Sequence, residues 1–154
     1  MLERFVLARA RDGMAATAEA LFPVNDYGAP DHRATDLVER MAAYLDDLPP
    51  RQRRLILALF VFVELAAPIL VPCWSRFSRL PIERRERAVR DLRASRFLPF
   101  RIIGDALKAT TTLIYMSHPA VIRYIGMYSV CERPGDPLSV PLRPEALSTE
   151  SVQP

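Results

Sequence analysis

The stretch LILALFVFVELAAPILVPCW, from Leu55 to Trp74, is the most apolar part of the chain, and what it packs against decides the fold. At roughly twenty residues it is long enough to cross a bilayer, yet it contains Glu64, Pro68 and Pro72. Two readings follow. In the first, a helix starts at about Pro50 and lies buried at the centre of a bundle, with no polar face because other helices surround it. Pro68 then kinks or ends that helix, since its ring removes a hydrogen bond and clashes with the preceding turn. In the second, the whole stretch spans a membrane, with Arg51, Arg53 and Arg54 at one end and Arg76 and Arg79 at the other. That basic excess is nearly symmetric and selects no orientation, and a mid-span carboxylate needs a partner or a cavity. The buried central helix is favoured; the single span stands as the alternative.

Working outward, 154 residues make one ordinary domain with room for a core. Half the residues are hydrophobic and a quarter charged, the balance of a globular chain. The net charge of +3 comes mostly from arginines interleaved with glutamates, which does not suggest nucleic-acid binding. The N-terminal MLERFVLARA has an early Glu3, no sustained apolar run and no twin-arginine pair, so no signal peptide is read there. A cytoplasmic location is expected, with membrane association left open. Cys73 and Cys131 lack metal-site spacing. Each reads as a small buried hydrophobe, with a disulfide between them or to another chain as the alternative.

On the N-terminal side of the apolar stretch, Met14 to Phe22 (MAATAEALF) reads as a short helix with Asp12 as N-cap and alanines supplying propensity. Pro23 stops it, and PVNDYGAPDH to His32 is a loop. A second helix follows from about Ala34 to Leu45, with Leu37, Val38, Met41 and Leu45 at helical spacing. Leu48-Pro49-Pro50 breaks the chain, and Pro50 suits the first turn of the next helix.

On the C-terminal side, IERRERAVRDLRA from Ile82 to Ala94 places Ile82, Val89 and Leu92 on one face. Glu83 can pair with Arg87, and Glu86 with Arg90, at i,i+4. Its arginine-rich face reads as solvated, or as a dock for an acidic partner or phospholipid headgroups. LPFRIIGDALKATTTLIYM, starting with Pro99 at a helix N-terminus, carries Ile103, Ala106, Leu107, Thr110, Leu113 and Ile114 as a stripe and reads as the second core helix. The hydroxyls of Thr110 to Thr112 can bond back to carbonyls one turn earlier, or line a polar channel. Ser117 or His118 caps a short last helix from Ala120 to Tyr128. The expected architecture is therefore all-α, a compact bundle of about five to six helices around a central apolar helix. Residues 1–130 form the helical domain, and 131–154 a Pro-rich tail, disordered or extended along a surface.

No catalytic constellation emerges. His32 and His118 lie in or beside loops without Glu or Cys at ligand spacing. Gly104 and Gly126 are isolated, so no phosphate-cradling loop is formed, and Ser75, Ser78 and Ser117 lack the strand-to-helix turn of a nucleophile elbow. No metal, cofactor or catalytic residue is assigned. Glu64 is the ionisable residue to watch: out of water it must hold a proton, meet an arginine or sit in a polar patch at a helix contact.

The helix ending ALFP (Ala20 to Pro23), the loop after it, the apolar central helix, RFSRLPIERRERAVRDL (Arg76 to Leu92) and LPFRIIGDALKATTTLIYMSHPAVIRYIGM (Leu98 to Met127) together resemble the gluconate 2-dehydrogenase subunit 3 family. These are small helical accessory subunits of flavin-dependent dehydrogenases of the glucose-methanol-choline class. The likeness extends to the helical N-terminal region fused to long-chain alcohol oxidases of that class, and covers about Met14 to Met127. It implies a noncatalytic partner that supports the folding, solubility or export of a separate large subunit holding FAD and acting on an alcohol, sugar or sterol. The missing twin-arginine signal departs from many members and argues for a cytoplasmic complex or one exported by another signal. The apolar content also exceeds what a free domain this size hides, and large apolar patches mark interfaces. The candidate partner interface is Leu59, Phe62, Leu65, Trp74, Ile103, Leu107, Ile114 and Tyr124, with the tail wrapping the partner.

Overall fold

The computed structural model describes residues 2–70 and 75–126. Cys73, Trp74, Cys131 and the tail expected over 131–154 lie outside them, and with them the disulfide reading. Within these residues the chain is all-α: α1 (Leu2–Leu21), α2 (Leu37–Asp46), α3 (Pro50–Leu70), a 3₁₀ turn (Phe77–Arg79), α4 (Ile82–Ala94), α5 (Leu98–Met116) and α6 (Pro119–Tyr124).

The first helix is longer than the MAATAEALF segment expected. Asp12 does not cap it; its carboxylate accepts from Arg9 Nη1 at 2.9 Å, one turn earlier, and the helix runs back to Leu2. Gly13 sits inside it because α3 crosses there: a Cβ on Gly13 would lie 2.5 Å from the carbonyl oxygen of Phe60. The second half of α1 is small and almost continuously buried, through Ala10, Met14, Ala16, Thr17, Ala18 and Ala20. Short side chains let α2, α3, α4 and α5 all approach it.

That arrangement corrects the expectation of a surrounded apolar α3. The helix begins at Pro50 as expected and runs two residues past Pro68, to Leu70. It buries Phe60, Val63 and Glu64 and leaves Leu55, Ala58 and Leu65 exposed. Between residues 4 and 66, the most enclosed helix is therefore the alanine-rich end of α1, and α3 lies at the periphery with an apolar outer face.

The connection before α2 explains its late start. Asp31 Oδ1 accepts the backbone N–H groups of Arg33 (2.9 Å) and Ala34 (2.7 Å), and Thr35 Oγ1 donates to the Asp31 carbonyl at 2.9 Å. These bonds fold 31–35 into a turn, so α2 starts at Leu37, after Asp36 at φ 44°. The preceding loop is tied down by the Tyr115 hydroxyl, which donates to the Pro30 carbonyl at 2.6 Å, and by Phe22 stacked on the Tyr115 ring at 3.7 Å.

The fourth helix buries Arg85, Ala88, Val89 and Leu92. The expected pairs Glu83–Arg87 and Glu86–Arg90 are not among the ion pairs formed between described residues. The pairs that do form bridge elements: Arg85 to Glu19 at 2.8 Å and Arg93 to Asp105 at 3.0 Å. Gly104 permits the α4–α5 crossing, since a Cβ there would meet Arg93 N at 2.9 Å and Leu92 Cβ at 3.0 Å. Thr111 back-bonds to the Leu107 carbonyl (2.8 Å), as read from the sequence, and His118 Nδ1 caps α6 by accepting from Ala120 N–H (3.2 Å).

Candidate functional site

The outer faces of α3 and α5 do not close on one another. Between them runs a groove of about 410 Å³, walled by Leu55, Leu59 and Phe62 of α3 and by Ile102, Ile103 and Ala106 of α5, with Thr110 at its edge. Leu55 is 72% exposed and Ile102 57%. On α3 these positions are four and three residues apart, and on α5 Ala106 is four from Ile102 and three from Ile103, which places each set on one side of its helix. The apolar strip continues past the groove through Leu65 on α3 and Leu113 and Met116 on α5, all exposed. The opposite faces are spent inside, α3 chiefly on α1 and α5 chiefly on α4.

The residues expected at an interface divide. Leu59, Phe62 and Ile103 line the groove half-buried, and Leu65 is exposed beside it. Leu107 and Ile114 are in the core, at 0% and 6% exposure, and cannot meet a partner without repacking. Tyr124 is exposed on α6, its hydroxyl donating to the Tyr27 carbonyl at 3.2 Å, and does not reach the groove walls. Leu55 and Ile102 were missed, although their spacing with Leu59, Ala106 and Leu113 was there to be read.

Glu64 meets neither an arginine nor water. Its Oε2 accepts the Ser78 backbone N–H at 2.9 Å and its Oε1 the Ser78 hydroxyl at 2.6 Å, so it fastens the 3₁₀ turn to α3. The polar-patch reading describes this contact; Ser78, fourteen residues away, carries no sequence signal for it. Asp31 is held below the usual aspartate value by the backbone N–H of Ala34, with burial opposing and the Arg33 N–H adding. Burial pushes the Tyr115 hydroxyl up, with Tyr124 and Asp31 adding to the shift.

A second depression, lined by Arg11, Asp12, His32, Arg33, Asp36 and Glu39, is polar. Some of its groups engage neighbours: Arg11 pairs with Glu39 at 3.3 Å, and His32 Nδ1 lies 3.1 Å from the Phe22 carbonyl oxygen. Among the described residues no three His, Cys, Asp or Glu side chains converge to hold a metal. Nor, among them, is any helix long and apolar enough to cross a membrane. Among the described residues, fold and groove define an all-α bundle with an apolar face that no other described element covers. No family model, curated protein or solved structure matches the chain.

Proposed function

We propose that this chain is a noncatalytic subunit that binds and stabilises a larger protein through the α3–α5 face. The partner implied by the sequence resemblance is an FAD-dependent oxidoreductase of the glucose-methanol-choline class, and the location we propose for the complex is the cytoplasm. The observation that carries the reading is the groove: its walls are aliphatic and aromatic, continuous across two helices, and open to water over Leu55 and Ile102. Water-exposed apolar surface of this continuity is unfavourable at roughly 25 cal/mol per Å², and covering it is the simplest source of binding free energy. The polar depression has no apolar wall of this kind, and Arg11 and Glu39 within it already pair with one another.

The test is a tagged co-purification of the full chain from its host without detergent, followed by size exclusion while protein and flavin absorbance are recorded. A large flavoprotein eluting with the chain is expected, and it should become insoluble or inactive when produced alone. Recovery only in detergent, without flavin, would sink the proposal.

A further inference from the structure

Basic charge is unevenly distributed along this chain. Residues 76–101 hold nine arginines against three acids, Glu83, Glu86 and Asp91, an excess of six. The whole chain carries only +3, so the remainder has an acidic excess of three. Within the segment Arg85 is buried against Glu19 and Arg93 is paired with Asp105. Arg96 and Arg101, on the turn joining α4 to α5 and on the first turns of α5, have no carboxylate within ion-pair distance among the described residues.

Between those two arginines the turn exposes its largest apolar side chains. Phe97 is 60% and Leu98 53% exposed, with Ile102 next along α5. The conformation is held by other means: the Phe97 backbone N–H donates to Ser95 Oγ at 3.1 Å, and the Phe97 ring meets Phe100 edge-on at 5.3 Å. The positive end of the α5 dipole opens at the same place.

We propose that this turn docks on an anionic lipid surface, with Phe97 and Leu98 entering the headgroup–acyl boundary and Arg96 and Arg101 meeting lipid phosphates. An acidic protein would satisfy the guanidiniums equally well. The lipid is favoured because the apolar pair sits at the end of a helical hairpin with a cation on each side. Aromatic and aliphatic groups wedged between basic ones at an exposed turn suit an interface whose depth runs from charge to hydrocarbon. The site adjoins the α3–α5 groove at Ile102 but uses other residues, and its test needs no partner protein, so it stands or falls apart from the proposed function.

The experiment is sedimentation of the full chain with vesicles of phosphatidylcholine alone and of phosphatidylcholine mixed with phosphatidylglycerol. Binding to the mixed vesicles only, weakened by salt, is expected. The double variant Arg96→Gln/Arg101→Gln should lower partitioning about 30-fold, from roughly 5-fold per arginine near an anionic surface. Phe97→Ser/Leu98→Ser should lower it about 10-fold by removing the inserted apolar area. All four side chains are exposed, and an unchanged helical circular dichroism spectrum would show that the variants fold. Equal binding to both vesicles, no binding by the unaltered chain, or insensitivity to both variants would overturn the proposal. So would loss of a co-purifying protein from the arginine variant when the unaltered chain ignores vesicles, which would assign the turn to an acidic protein partner.

Discussion

At the scale of single residues, the tightest constraint is Gly13. A methyl group there would stand 2.5 Å from a backbone oxygen of α3, which cannot rotate away as a side chain could. Helix propensity favours Gly13→Ala by about 1 kcal/mol, whereas forcing two packed helices apart costs about 1–3 kcal/mol. A net loss is expected, read as a lower urea midpoint with an unchanged slope. Glu64→Ala should cost about 1–3 kcal/mol by the same measurement, because it strands the Ser78 N–H and hydroxyl at a contact where Glu64 is fully shielded from water. Asp31 adds a pH dependence. Its carboxyl is held below the ordinary 3.8 in the folded protein. The stability it contributes is therefore full above that value and lost as pH falls through the lower folded value. Asp31→Asn should flatten the acid limb of thermal stability below about pH 4 and leave its shape near neutrality alone; an unchanged acid limb would count against the 31–35 turn.

At the scale of elements, α3 and α5 share a design in which one face is spent inside and the other presented outside. Exposed apolar residues contribute little to the isolated fold, so Leu55→Ser/Ile102→Ser should change stability by within about 0.5 kcal/mol while abolishing recovery of the partner in the detergent-free co-purification. Retained recovery would remove the groove from the interface. The Arg85–Glu19 pair acts oppositely, as an internal strut between α4 and α1. Glu19→Ala leaves the Arg85 guanidinium mostly buried without its carboxylate and should cost about 3 kcal/mol in denaturant unfolding, the low end for a buried pair because Glu19 itself is partly exposed. Helix existence was legible here, since Pro50, Pro99 and Pro119 each stand at or beside a helix start. The start of α1 and of α2 was not. Asp12 resembles a cap until its arginine one turn back is seen, and the 31–35 turn depends on backbone hydrogen bonds that no periodicity records.

At the scale of the whole molecule, the proposed docking role ties stability to the partner. If the larger subunit binds only the folded chain, its presence at about a hundredfold over the dissociation constant should add about 2.7 kcal/mol, visible as a rise in the chain's melting temperature that grows with partner concentration. A melting temperature indifferent to the partner would argue against the docking role.

The sequence by itself determined an all-α fold over the described residues, the order of its helices and the presence of more apolar surface than one small core absorbs, because helical spacing and proline placement are local properties. Only the tertiary structure decided which side of that surface is inside. Leu107 and Ile114, chosen for an interface, fill the core, while Leu55 and Ile102 face water. The periodicity of a helix reports the width of its apolar stripe and not what packs on each part of it. The same holds for the centre of the bundle. Hydropathy pointed to α3, but close packing on several sides needs small residues more than greasy ones, and the alanines of α1 occupy that position.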